Sequence, residues 1–421
     1  MKPARSYVKS LRCKECGREF PTQAIFVCDF CFGGLEVAYD YQAVRADLSR
    51  EKIESRPQNL WRYRELLPLE GEPTDGFFSG FTPLQPAPNL ARALGMKEVY
   101  VKNDGLNYPT LSYKDRVVPV SLSRAKELGF KVAACATTGN LGNAVAAHSA
   151  KAGMPCVIFI PRGLKMSKMV GSLIYKPLVV AVDGTFDEVN RLCTELASRH
   201  PWAFVNVNLR PYYTEGAKTC GFEIAEQLGW RAPQHIVLPL AGGTLLPKVW
   251  KGIKEFEMLG LLKEPVTTRI HAAQAESCAP VINALHEGSD IIKPVKPRTD
   301  PPPVDHSLRI GNPADGFYAL ETIRNSGGWG EVATDDEILE GIELLAATEG
   351  LFTETAGGVT VAVARKLVAQ GRIPRDESLV VAATGNGLKT QEAVQERLPQ
   401  MVPIEPTVES FQERVVPMLE N

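Results

Sequence analysis

The stretch NYPTLSYKDR, residues 107–116, holds the lysine around which the chain can be read, Lys114. Just before it, Glu98-Val-Tyr-Val-Lys102 is rich in β-branched and aromatic residues and predicts a strand; just after it, 117–128 has the apolar spacing of a helix. A strand–loop–helix junction is where open α/β sheets place their ligands. A single lysine at a helix start is ordinarily only solvated, so its company decides. Three more loops follow predicted strands: Thr137-Thr-Gly-Asn-Leu-Gly-Asn143, Ala241-Gly-Gly-Thr-Leu245 and Thr384-Gly-Asn-Gly387.

Around these loops, strands and helices alternate. Strands are predicted at 132–136, 156–160, 178–182 and 203–207, with helices at 144–152, 186–199 and 216–228. A second series places strands at 236–240, 270–274 and 379–383, and helices at 246–258, 279–287, 338–348 and 358–370. Gly95 stops a helix over 90–94, and Thr334-Asp-Asp-Glu337 is a capping box. Residues 38–80 read as a linker and arm, and 288–313, with Pro301-Pro-Pro303, as a long loop within a domain. The fold class is α/β: two doubly wound parallel-sheet domains with a cleft between them, preceded by a small N-terminal module. The boundaries are 1–40 for that module, 121–229 for a small α/β domain, and 41–120 with 230–421 for a large one.

The chain has 421 residues, 44% hydrophobic and 23% charged, with a formal net charge of −2. That length allows a sizeable core, and that charge gives no bulk attraction to nucleic acid or an anionic membrane. No apolar run is long enough to cross a bilayer, and the N-terminus lacks the apolar core of a secretory signal. These features predict a cytoplasmic protein with no nucleic-acid or membrane partner.

Nine cysteines fit that compartment if four bind metal and five stay reduced. Cys13-Lys-Glu-Cys16 and Cys28-Asp-Phe-Cys31 are paired knuckles suited to one tetrahedral zinc ion, with two redox-active pairs or accidental spacing as the alternative. Such a closed four-thiolate site has no open position, so its role is structural. The spacing suggests a two-stranded ribbon, with 20–27 as its arm.

Each loop has a chemistry and a plain alternative. In the first, amides at a helix start can bind a carboxylate, Gly139 allows close approach of a flat ligand, and Asn140 can donate to a phenolate oxygen. In the second, small residues and a hydroxyl suit a phosphate held by backbone amides. In the third, the Thr384 hydroxyl can face a pyridine nitrogen without protonating it. Taken one at a time, each is equally a helix cap or a tight turn.

Order and company carry a resemblance. SYKDR at 112–116, ATTGNLGN at 136–143 and TGNGLK at 384–389 resemble the lysine, asparagine and threonine loops of fold type II pyridoxal-phosphate enzymes, and of the threonine synthase family in particular. The stretches at 206–230, 308–320 and 351–362, and the leading cysteine ribbon, resemble that family too. Departures are Tyr108, inserted between Asn107 and Pro109; Tyr113, where the family carries Phe; Thr244 and Leu245, where many relatives have Gly-Asn; and Tyr213, where some members have Arg.

The resemblance implies that Lys114 holds pyridoxal 5'-phosphate covalently and then moves protons. It implies that Asn140 binds the ring hydroxyl, that Ala241, Gly242, Gly243, Thr244 and Leu245 cradle the cofactor phosphate, and that Thr384 faces the ring nitrogen. Thr137, Thr138 and Gly139 would bind the substrate carboxylate. Arg116, Asn208, Arg210 and Lys218 are the candidates for a substrate phosphate. The implied reaction converts O-phosphohomoserine and water to threonine and phosphate, and the implied assembly is a homodimer. A serine/threonine dehydratase or a β-replacement synthase would use the same lysine and loops. A zinc-bearing regulatory or nucleic-acid-binding protein is the non-enzymatic alternative, against which Lys114, Asn140 and Thr384 occurring together argue.

Overall fold

The structure is a computed structural model that describes residues 6–163 and 166–419. Strands β1 (Val8–Cys13), β2 (Glu19–Phe20) and β3 (Leu35–Tyr39) make an antiparallel sheet in the order β2-β1-β3. The two-stranded ribbon with an arm over 20–27 is therefore corrected. Pairing with β1 stops at Phe20, where Pro21 has no amide to extend the ladder, and Val27 makes only an isolated bridge to Gly34.

The linker reading of 38–80 is also corrected. Helices Tyr41–Asp47 and Arg50–Glu54 are capped by the Asp40 and Ser49 side chains, and a 3-10 turn follows at Leu60–Leu66. That turn buries Leu60, Trp61, Tyr63 and Leu66, too much apolar surface for a solvated tether.

Strands β4 (Leu84–Pro86) and β5 (Glu98–Asn103) precede the lysine loop. Strands β6 (Ala133–Ala136), β7 (Cys156–Pro161), β8 (Leu178–Val182) and β9 (Ala203–Phe204) form a parallel sheet in the order β8-β7-β6-β9. Strands β10 (His235–Pro239), β11 (Arg269–Ala275), β12 (Gly330–Ala333) and β13 (Ser378–Ala383) join the first two in the order β12-β11-β10-β13-β5-β4. Only β4, on the edge, runs antiparallel. β6 and β10 are buried along their whole length, as strands covered on both faces must be.

Two spans differ from expectation. The strand over 203–207 pairs only at Ala203–Phe204, and the helix expected over 216–228, found at Lys218–Gln227, is preceded by a second, unexpected helix, Arg210–Glu215. Between them sits Gly216, where a Cβ would lie 2.4 Å from the Arg116 carbonyl oxygen. Only glycine lets this corner press onto the helix Lys114–Glu127. Helices Met166–Leu173 and Gly316–Asn325 and strand β12 were not anticipated. The Pro-rich loop between Glu287 and Gly316 is closed by a Val295–Gly311 backbone hydrogen bond and brings Ser307, Leu308 and Asn312 to the cleft.

Candidate active site

The segments that follow β5, β6, β10 and β13 line one cleft of about 570 Å³. Lys114 opens its helix, and its Nζ donates to the Tyr213 hydroxyl at 3.2 Å. The loop beneath it is tied from within. The Asp115 carboxylate accepts from the Thr110 amide at 3.0 Å and from the Thr110 hydroxyl at 2.8 Å. Asn107 accepts from the Gly80 amide at 2.9 Å and donates to the Ser112 carbonyl at 3.1 Å. The Tyr113 amide donates to the Thr384 carbonyl at 2.7 Å, joining the lysine loop to the late threonine loop.

His148 fixes this loop from behind, with Nδ1 2.6 Å from Asp75 and Nε2 3.2 Å from Asp115. Burial pushes the imidazole pKa down, but the hydrogen bonds to Asp115 and Asp75 outweigh it and hold the pKa at about 9.

Opposite the lysine, Ala241 through Leu245 turn from β10 into the helix Leu245–Met258. Among the described residues, the amides of Ala241, Gly242, Gly243 and Thr244 find no protein acceptor. A Cβ on Gly242 or Gly139 would meet nothing within 4 Å, so both glycines face open space. Unpaired amides at a helix start, across a cleft from an amine, fit the phosphate of a pyridoxal cofactor. Gly243 has a different reason: its φ is +90°, and a Cβ would lie 2.5 Å from the Asp315 carbonyl carbon.

Asn140 and Thr384 meet at a residue the sequence reading missed. The Asn140 amide donates to Glu354 Oε2 at 2.8 Å, and the Thr384 hydroxyl to Glu354 Oε1 at 3.3 Å. Burial raises the pKa of the Glu354 carboxyl although both donors lower it. Thr137, Thr138 and Gly139 line the cleft. The Thr137 hydroxyl accepts from the amides of Gly139 at 3.1 Å and Gly142 at 3.0 Å, so it braces the loop.

The four phosphate candidates separate. Arg116 is fully buried: Nε donates to Asp104 at 2.7 Å, Nη2 to Asp104 at 2.7 Å and to Glu223 at 2.8 Å. Lys218 is buried against Glu215 at 2.6 Å and Glu255 at 3.0 Å. Both are corrected to core ion pairs, since neither faces the cleft and each already has carboxylate partners. Asn208 is corrected as well: it donates to the Trp202 carbonyl at 3.0 Å, while Asn206, two residues earlier, lines the cleft with a buried Oδ1 that has no partner. Arg210 does line the cleft and pairs with Asp315 at 2.6 Å. Asp315 also accepts from the Thr244 hydroxyl at 2.7 Å. Burial raises the pKa of the Asp315 carboxyl, and the charges of Arg210 and Lys14 more than reverse this, to about 2.

Away from the cleft, the thiols of Cys13, Cys16, Cys28 and Cys31 lie within 4.8 Å of one another. The Cys13–Cys31 and Cys16–Cys28 sulfur pairs are 3.4 and 3.7 Å apart. Four thiolates around a tetrahedral zinc ion stand roughly 3.8 Å apart, so the cluster fits one.

Residues 77–385 match the family described as pyridoxal-phosphate dependent enzyme. The threonine synthase of Methanocaldococcus jannaschii is 39% identical over 91% of this chain and 93% of its own. That of Methanosarcina acetivorans is 38% identical over 96% of this chain and 98% of its own. The chain belongs to the threonine synthase family of pyridoxal-phosphate enzymes. It is a pyridoxal-phosphate-dependent lyase. Among solved structures, the diaminopropionate ammonia lyase of Escherichia coli shares the fold with a TM-score of 0.62 at 18% identity, covering 83% of this chain and 90% of that one. The threonine deaminase isoform 2 of Solanum lycopersicum shares it with a TM-score of 0.58 at 22% identity, covering 75% and 82%. Among the described residues, no helix is long and apolar enough to cross a membrane.

Proposed function

We propose that the chain converts O-phosphohomoserine and water to threonine and phosphate. The observation that carries the reading is the pairing, across one cleft, of the Lys114 amine with the unpaired amides of 241–244, with Arg210 on the wall between sheet and ribbon. Pyridoxal phosphate, when bound, supplies a sink for the electrons left as a C–H bond breaks. Lys114 would hold it and would move the protons at Cα, Cβ and Cγ of the substrate, and the Tyr213 hydroxyl would aim the amine. The amides of 241–244 would hold the cofactor phosphate, and Asn140 and Thr384, which here donate to Glu354, would hold the ring oxygen and the ring nitrogen. Thr138 and Gly139 receive the substrate carboxylate, and Arg210 its phosphate, which leaves as inorganic phosphate before water adds at Cβ. The cysteine cluster holds a structural zinc ion, and metal analysis of the purified protein showing no zinc would overturn that assignment.

A dehydratase reading has one observation in its favour: with Arg116 and Lys218 buried, Lys114, Arg210 and Lys389 are the cations lining the cleft among the described residues. The test supplies O-phosphohomoserine and measures phosphate and threonine together. Equal release of both supports the synthase. A keto acid formed from threonine, with no threonine from the phosphorylated substrate, moves the chain to the dehydratases.

A further inference from the structure

The cysteine ribbon touches the residue that holds Arg210 of the cleft wall. Lys14 stands between Cys13 and Cys16, and its Nζ lies 3.7 Å from Asp315 Oδ1 and 3.6 Å from the centre of the Tyr318 ring. The Tyr318 hydroxyl donates to Glu15 at 2.6 Å, so the knuckle is fastened at the residue after Lys14 as well. Asp315 immediately precedes the helix Gly316–Asn325 without a side-chain bond to it, and its backbone amide donates to the Gly242 carbonyl in the phosphate loop at 2.9 Å. Its other carboxylate oxygen, Oδ2, takes both Arg210 at 2.6 Å and Thr244 at 2.7 Å. Lys14 itself does not line the cleft.

We infer that Lys14 is a positioning residue of the active site: by engaging one oxygen of Asp315 it leaves Arg210 the electrostatic freedom to meet a substrate phosphate. The argument is a competition of charges. Asp315 is buried, so its attraction for a nearby cation is weakly screened. With Lys14 in place, two cations share one carboxylate, and the group keeps a net positive charge toward the cleft. Without it, Arg210 and Asp315 neutralise each other, and an incoming dianion must break that pair. The inference rests on the reading that the cleft takes a phosphate-bearing substrate.

The test uses holoenzyme carrying Lys14→Met, Lys14→Arg or the pair Lys14→Met with Asp315→Asn. KM and kcat are measured with O-phosphohomoserine, and the affinity for inorganic phosphate by titrating the cofactor absorbance. Lys14→Met should raise KM and weaken phosphate binding by roughly tenfold, the scale of one charge-assisted contact, with kcat within about twofold. Metal content, cofactor spectrum and Tm should match wild type. Lys14→Arg should restore both affinities, and the double variant should recover phosphate binding because Arg210 is again uncompensated. Unchanged phosphate affinity in Lys14→Met overturns the inference. So does a parallel loss of kcat, cofactor and Tm, which would make Lys14 a structural brace, and so does a double variant no better than the single. If wild type makes no threonine from O-phosphohomoserine yet binds phosphate tenfold more tightly than Lys14→Met, the substrate assignment fails and the role of Lys14 stands.

Discussion

Two clusters of charge flank the cleft, and they are built on opposite plans. Behind the lysine helix, Arg116 and Lys102 meet Asp104 and Glu223, two cations to two carboxylates, all essentially buried. At the ribbon side, Arg210 and Lys14 share the single carboxylate of Asp315, and Arg210 keeps 26% of its side chain exposed. The first cluster is satisfied and closed, and a buried charge of this kind holds the fold together only while every partner is present. The second has a cation in excess at an open wall. A cation's identity does not make it a binding group; the count of anions around it and its access to the cleft do.

The sharpest way to break the comparison uses the helix that carries Arg116 and begins at the cleft lysine. Lys114 and Arg116 are two residues apart, so they point about 200° apart around the helix axis. Lys114→Ala should abolish detectable turnover, a loss of at least ~10³-fold, while thermal unfolding stays close to wild type. A borohydride-fixed cofactor peptide containing Lys102 or Lys389 in place of Lys114 would refute the assignment.

Arg116→Met should do the opposite. It leaves Asp104 and Glu223 buried with one cation fewer, a cost of about 3–5 kcal/mol for breaking a buried pair. Urea unfolding should show the loss. Glu223 sharpens the point: burial raises the pKa of its carboxyl, yet Arg116 and Lys102 bring it to about 2. A Tm within a degree of wild type would show that the cluster does not hold the fold together.

His148 lies between the two plans, a titratable cation bridging Asp75 to the lysine loop. Its pKa is raised from 6.5 to about 9 in the folded chain. A raised pKa means that stability is fully present below about 6.5 and is lost as pH rises through about 9. The change amounts to roughly 3 kcal/mol at 1.36 kcal/mol per pKa unit. Urea midpoints of wild type should therefore fall between pH 6 and pH 10, and the difference between wild type and His148→Gln should shrink over the same range. A difference that does not change with pH would mean the imidazole is neutral in the fold.

The four loops and most strands and helices of the two parallel sheets were legible because they rest on local signals: buried apolar runs, glycines after strands, a capping box. What stayed hidden depends on distant partners. Glu354 and Asp315 both lie within the stretches that carried the family resemblance, but their roles arise from Asn140, 214 residues away, and from Arg210, 105 residues away. The burial of Arg116 needs Glu223, 107 residues on, and no periodicity announces such a pair. Lys218 was more readable, since Glu215 stands three residues before it on the chain. Asn208 was named and Asn206 was not considered: the two lie two positions apart in a segment whose observed strand is only two residues long, so strand alternation could not tell which side chain faces the cleft.

The smallest effect is also the finest test of the open cluster. Arg210 contributes one charged arm to the wall and is only part-buried, so Arg210→Met should change stability by less than about 1 kcal/mol. Its loss should instead be felt by the substrate. Removing one charge-assisted contact to a dianion costs about 1.5–3 kcal/mol, which is roughly a ten- to hundredfold rise in KM with the cofactor spectrum unchanged. Asp315 would then keep only Lys14 and Thr244, so the phosphate loop itself should hold. Full-length progress curves with O-phosphohomoserine, alongside absorbance scans of each variant, measure both sides at once. If Arg210→Met leaves KM where it was, the excess cation of this cluster is not what meets the phosphate. If it strips the cofactor as well, the cluster belongs with that of Arg116, and the two plans are one.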